Sequence, residues 1–363
     1  MTTLSNGPEQ PRQPPPRVSV LVCSKERRPL LINCLESLGR QTYPHDRTEI
    51  VVAEELSEWA ELPRIPGLAE SQVRHVRVEP HRRGYGHPRN IAVRQAAHDL
   101  VAFIDDDCEA EPGWLSRLVA TFRASDCKGV GGAVSARSPG LLGMCELAAG
   151  FPGGGIRKAV WSGGRPRRSD GFSTCNALLS RREIDAAGGF DEGLVHGGED
   201  TLLAGRMAAA SEPFIYEPRA VVYHRPRGSW RGIARWFFRR GRARVAIADR
   251  SGGRSELGWE LLRTSVLLRV AVAAGVAGAL RSPALFLAFI GVYYGVLAAK
   301  YAFIVSRYKL RGLPALAIMP LVRIWMDVWF ELGVITRVMA RADGGARRNQ
   351  AGMSRRSPPE ADG

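Results

Sequence analysis

The residues best suited to chemistry are three consecutive carboxylates, Asp105, Asp106 and Asp107, in the stretch FIDDDCEAEPGW (103–114). Three like charges side by side repel, so a cation or an array of donors must offset them. Zinc prefers His and Cys ligands. Oxygen ligands suit Mg²⁺ or Mn²⁺, which take one or two protein carboxylates and fill the shell with water and substrate phosphates. A second acidic pair, Glu54-Glu55, closes EIVVAEE (49–55), and a third, Glu199-Asp200, lies in GGEDTLLAGRMAAA (197–210). The bland readings are solvated acidic turns and charge compensation at a helix N-terminus. No CxxC spacing joins the six cysteines, and no Ser-His-Asp or Cys-His set stands out, which argues against structural zinc and a covalent nucleophile.

Those acids need a frame. VSVLVCS (18–24), EIVVAEE (49–55), HVRVEP (75–80) and LVAFI (100–104) have the apolar or alternating pattern of strands. Leu30, Leu31, Cys34, Leu35 and Leu38 follow helical spacing. PRNIAVRQAA (88–97) and PGWLSRLVATF (112–122) each open with a helix-starting proline. Alternating strands and helices predict a parallel sheet covered on both faces. Ligands of such sheets bind outside the carboxyl ends of the strands, where Glu54-Glu55 and Asp105–Asp107 both fall. Residues 136–172, rich in Gly, Arg and Ser, are expected to form a mobile loop, and NALLSRREIDAAGGF (176–190) a strand, a helix and a glycine stop.

The net charge of +15 is concentrated: residues 219–254 hold eleven arginines and one acid. Such a block suits phosphates, anionic lipid or nucleic acid. It abuts an apolar third. SPALFLAFIGVYYGVLAA (282–299) is 18 uncharged positions, close to the ~20 needed to span a bilayer. Residues 261–280 and 313–335 are weaker spans, the latter carrying Arg323 and Asp327 at i,i+4. In SWRGIARWFFRRGRARV (229–245), Trp230, Ile233, Trp236 and Phe237 share a helical face apart from Arg231 and Arg235. This describes a helix in a membrane interface, with the arginines keeping it cytoplasmic. No nucleic-acid-binding motif accompanies the charge.

In order and spacing, VSVLVCSKERRPLLINCLESLGRQTYP, EIVVAEE, PRNIAVRQAAHDLVAFIDDDCEAEPGWL and NALLSRREIDAAGGFDEGLVHGGED resemble the family 2 glycosyltransferases of membrane-associated bacterial type. The resemblance covers roughly residues 18–240. It implies the GT-A fold: α/β, with a mostly parallel sheet flanked by helices, followed here by hydrophobic membrane helices. It implies that Asp105–Asp107 are the DxD motif, with Asp105 and Asp106 at the donor and Asp107 on Mn²⁺ or Mg²⁺. Glu54 matches the acid that reads base or ribose, although AEELS replaces the usual Asp-Asp-Gly-Ser. Arg89 and Asn90 match an RN pair at the donor, and Glu199 and Asp200 match the ED motif, with Asp200 as general base. His224 in VVYHRP matches a histidine that reaches the metal or diphosphate. Arg231, Arg235 and Trp236 match the interface segment; glycine at 232, where QxxRW has glutamine, argues against processivity.

The implied enzyme is inverting and metal-dependent. It moves a sugar from a nucleotide sugar, UDP first and GDP or TDP as alternatives, to a hydroxyl of a lipid-linked or cell-envelope glycan. It would work at the inner or plasma membrane with its catalytic domain in the cytoplasm. The expected organisation is a disordered Pro-rich leader (1–17), a catalytic domain (18–225), a basic interface segment (226–256), membrane helices (257–340) and a disordered tail (341–363). A polyprenyl-phosphate glycosyltransferase on the same fold is the alternative. A non-catalytic membrane protein or a nucleic-acid binder stands further off.

Overall fold

Parallel strands covered on both faces must be apolar along their length. β1 (Val18–Lys25) obeys this, with Val18 through Val22 buried. The structure, a computed structural model, describes residues 14–208, 214–307 and 312–353. β1 pairs in parallel with β2 (Thr48–Glu55) and with β4 (Leu100–Asp105), and β3 (Val73–Val78) adds to β2. The register sets Cys23 opposite Asp105 and Lys25 opposite Glu55, so the acidic strand ends share one edge.

Alternate side chains of β1 serve the two faces. Val18, Val20 and Val22 pack under α1 (Arg28–Gly39) and α3 (Trp114–Arg123), whose apolar positions 31, 34, 35, 38 and 114, 115, 118, 119 are buried as the spacing predicts. Leu21 faces α2 (Gly86–Gln95), α6 (Arg181–Ala186) and α7 (Glu199–Ala208) through Ala92, Val93, Ile184 and Leu203.

Beyond β4 the sheet turns mixed. β8 (Asn176–Ser180) runs antiparallel to β4 and to β6 (Gly129–Ser135), and β9 (Phe214–His224) is parallel to β6. The short β5 (Cys108–Ala110) and β7 (Arg167–Ser169) pair antiparallel with β9. The sheet order is β3-β2-β1-β4-β8-β6-β9-β5, with β7 also on β9. Parallel pairing therefore dominates only the N-terminal half. Asn176 pins the junction: its Oδ1 accepts from Trp114 Nε1 at 2.7 Å and its Nδ2 donates to the Ala133 and Ala220 carbonyls.

The loop expected over 136–172 is instead an ordered insertion, α4 (Leu141–Ala148) and α5 (Gly155–Ser162) followed by β7. Glu146 of α4, fully buried, accepts from the Arg227 backbone N–H at 3.0 Å and pairs with its guanidinium. Glycines with positive φ at 150, 153–155, 163 and 164 separate helices of only two turns, which hides their periodicity in the sequence.

α8 (Trp230–Ser251) and the long α12 (Gly312–Met353) lie against each other. With α4 and α11 (Pro283–Arg307) they share a core containing Leu147, Phe237, Tyr301, Met319, Val322 and Met326. Among the described residues α11 alone is long and apolar enough to cross a membrane, and its most apolar window is only 22% buried. The span weighed at 261–280 breaks instead at Ser265 into α9 (Arg254–Thr264) and α10 (Val266–Ala279), bent by 48°. Glu331 of α12 caps α10, accepting from Ser265 Oγ and the Val266 and Leu267 amides at 2.6–3.0 Å. Arg323 and Asp327 form the expected i,i+4 pair at 2.6 Å. α12 continues to Met353, past the tail expected from 341, and Arg341 pairs with Asp249 of α8. The remainder of that tail, 354–363, and residues 1–13 of the leader lie outside the described residues.

Candidate active site

The end of β4 supplies Asp105–Asp107, and each carboxylate has its own environment. Asp106 turns inward and is fully buried; Ser24 Oγ donates to it at 2.8 Å and Arg27 approaches at 2.5 Å. Burial pushes its carboxyl up to about 7 against the pull of Arg27. Asp107 faces Arg27 on one side, at 2.9 Å, and on the other His224 Nε2, at 3.5 Å. His224 ends β9, and β5 holds it beside Cys108. A cavity of about 200 Å³ adjoins Asp107 and His224, lined also by Arg137, Tyr223 and Arg225.

Asp105 points the other way. Arg89 of α2 bonds Asp105 Oδ1 at 3.1 Å and Glu199 at the start of α7. This one guanidinium joins three segments that lie far apart in the chain. Burial raises the carboxyl of Asp105, Arg89 opposes the rise, and Asp107 adds to it. Burial pushes Glu199 up to about 7, again against Arg89. Asp200, the next residue, is half-exposed; its Oδ1 accepts from the Thr201 amide at 2.7 Å, and its Oδ2 has no protein donor among the described residues.

Glu54 is wholly buried at the end of β2, held by Arg28 at 3.0 Å and His75 Nε2 at 2.9 Å, with Trp59 stacked on His75. Its Oε1 has no partner among the described residues. Asn90 does not join the acidic edge. Its amide donates to the Phe190 carbonyl and Glu192 and accepts from the Phe190 N–H, so it fixes the loop before α7. Asn90, placed at the donor by sequence, is a clamp because the Gly188-Gly189 turn brings that loop onto α2.

Arg231 and Arg235 of α8 are exposed and make no ion pair among the described residues. Trp236 is half-buried between the guanidiniums of Arg227 and Arg240, 4.0 and 4.7 Å from its ring. It lies in an aromatic group with Phe151 and Phe237 and does not present a free membrane-facing ring. The residue missed at this site is Arg27. Its signal was present: a basic residue two positions past β1, next to the strand that carries the acids.

Among the described residues no three His, Cys, Asp or Glu side chains converge as a closed metal site. Asp107 and His224 nevertheless fit an open one. The buried His224 Nδ1 has no partner among the described residues, and one carboxylate with one imidazole leaves most of the shell to substrate phosphates and water.

Comparison with known proteins shows the family and the fold. The model of the family described as glycosyl transferase family 2 matches residues 19–144. The succinoglycan biosynthesis protein ExoM of Rhizobium meliloti is 30% identical over 233 residues, covering 61% of this chain and 71% of that one. The chain belongs to the family 2 glycosyltransferases. This glycosyltransferase is also 24% identical to the glycosyltransferase AglE of Haloferax volcanii, over 51% of its own length and 59% of the archaeal protein's. Among solved structures it resembles the mannosyltransferase PcManGT of Pyrobaculum calidifontis in complex with GDP-Man and Mn²⁺, with a TM-score of 0.52. That match covers 89% of the glycosyltransferase and 87% of the neighbour at 19% identity, and it shows a shared GT-A fold.

Proposed function

We propose that this glycosyltransferase moves a sugar, with inversion, from a nucleotide sugar to a hydroxyl of a lipid-linked or cell-envelope glycan at a membrane surface. The observation that carries the reading is the bridge from Asp105 through Arg89 to Glu199, which sets the donor edge and the start of α7 side by side. The neighbour's GDP-Man and Mn²⁺, and the polysaccharide named for the Rhizobium relative, support it.

Asp105 holds the donor, oriented by Arg89. Glu54 Oε1, an acceptor without a partner, suits a base edge that offers N–H, as uracil, thymine and guanine do. Asp107 and His224 would hold Mn²⁺ or Mg²⁺. Such a cation, when bound, offsets the charge that develops on the departing diphosphate. Asp200 takes the proton of the attacking hydroxyl through Oδ2. Glu199, pressed toward its neutral form by burial and held by Arg89, is not the base.

Membrane association rests on exposed apolar side chains along α9 to α11, among them Trp259, Leu262, Val272, Val276, Leu287 and Val292. We assign residues 18–225 to catalysis, 226–256 to the interface and the later helices to the membrane, with the catalytic part cytoplasmic. The arginine block is not an open basic face: Ile233, Phe237 and Val245 of α8 are buried. Asp200→Asn tests the base. Donor binding should persist while transfer falls by about 10²–10⁴; full transfer would end that assignment.

A further inference from the structure

α8 and α12 approach closely at two glycines. A Cβ on Gly241 would collide with the Phe330 carbonyl, and one on Gly333 with that of Phe238. The crossing brings in Arg242, next to Gly241, and Arg337, one turn beyond Gly333. The loop before α7 lies on the same stretch of α8: Gly198, at φ 94°, leaves its Cβ position to the Ile247 side chain. His196 precedes it by two residues. Arg239, on the same helix, donates to Tyr85 Oη at 3.0 Å.

Arg239, Arg242 and Arg337 differ from the paired arginines of α8 and α9, and the buried Nε atoms of Arg242 and Arg337 set these two apart from the exposed, unpaired Arg231 and Arg235. Arg244 pairs with Glu260, Arg250 with Asp191 and Arg254 with Asp249, each at 2.7–2.8 Å. Among the described residues Arg239, Arg242 and Arg337 have no carboxylate within 4 Å, and the Nε atoms of Arg242 and Arg337 are buried without an acceptor. All three side chains are half-buried, and a partly desolvated cation without a counter-ion favours an anionic ligand. Burial, then the charges of Arg242, Arg239 and Arg337, hold the His196 imidazole below its ordinary value.

We propose that Arg239, Arg242, Arg337 and His196 bind a phosphate group carried by the lipid-linked acceptor; this rests on the glycosyltransferase reading. Guanidinium forks match phosphate geometry, and charge-assisted bonds are the strong ones. The place fits a lipid-borne phosphate. His196 stands three residues before Glu199, next to the proposed base, and α12 shares its core with α11, the helix able to cross a membrane. The proposed metal pair, Asp107 and His224, is not part of the cluster.

The test uses the full chain in detergent with EDTA, so that a metal-dependent donor site stays out of play. Citronellyl phosphate, a short isoprenoid monophosphate, is titrated by calorimetry. Saturable binding is expected, weakened about ten- to hundredfold in Arg242→Gln and in Arg337→Gln and unchanged in Arg182→Gln, on α6 with its side chain 87% exposed. Should Arg242→Gln fail to fold, Arg337→Gln and His196→Ala carry the test. Equal affinity in the variants and the wild type overturns the proposal. Displacement of the probe by equimolar phosphatidylglycerol also overturns it, since the site would then serve bulk headgroups; inorganic phosphate competing through the same arginines supports it. Mn²⁺-dependent nucleotide binding, measured on EDTA-free portions of the same preparations, is expected in wild type and variants alike. Its loss in wild type would fault the glycosyltransferase reading without touching the phosphate result.

Discussion

Replacing Arg89 by Met should destabilise the catalytic domain in a pH-dependent way. Arg89 is 10% exposed and Glu199 only 4%, and Glu199 Oε2 has no partner among the described residues, so Arg89 is the counter-ion of a buried acid. Removing one partner of a buried pair costs about 3–5 kcal/mol. For a domain of this size that lowers Tm by roughly 6–20 °C. Glu199 can avoid part of the penalty by keeping its proton. Its folded value, about 7, already lies above the 4.5 of an exposed glutamate, so in the wild type its contribution declines as pH rises from 4.5 to 7 and is level above that. Without Arg89 the proton stays on above pH 7, and the decline continues. The difference between variant and wild type should therefore grow by about 1.4 kcal/mol per pH unit above pH 7. Thermal melts at pH 6, 7 and 8 measure it, and adding Glu199→Gln to Arg89→Met should restore most of the loss. Equal losses at pH 6 and 8, or no rescue by Glu199→Gln, would refute the reasoning.

Three further outcomes are expected. Asp107→Asn or His224→Ala should weaken Mn²⁺-dependent nucleotide binding by at least about tenfold, a loss that even outer-shell changes can cause, with no change in EDTA; calorimetry decides. Gly241→Ala, which in an open helix would add about 0.5–1 kcal/mol, should instead destabilise by about 1–3 kcal/mol, because its methyl meets the Phe330 carbonyl; a raised Tm in detergent would show that the crossing is loose. Washing membranes at alkaline pH should leave the protein in the pellet, as α11 requires if it spans; release would place every helix at the surface.

The strands from Val18 to Asp105 were legible because each is a short apolar run with acids at its carboxyl end, and the register then puts those ends on one edge. The buried face of α3 was legible for the same reason. What escaped was set by distant partners. Eight-residue helices between glycines gave no period in 136–172, yet Glu146 and Arg227 lock them down. A helical wheel set Arg231 and Arg235 apart from the apolar face of α8, but it does not show that the helix is covered by both α12 and the loop before α7. Those two contacts, absent from the local sequence, decide which arginines turn inward. Asn90 sits beside Arg89 in the sequence yet bonds the loop before α7, a contact the local sequence does not show.

The most direct measurement is nucleotide release by the purified chain in detergent, given Mn²⁺, a lipid extract and a panel of UDP-, GDP- and TDP-sugars. Release from one donor that requires both metal and lipid, and that disappears in Asp200→Asn, is the expected result. Release that survives EDTA or Asp200→Asn would contradict the proposed site, and failure to bind any nucleotide would contradict the donor edge built from Glu54, Asp105 and Asp107.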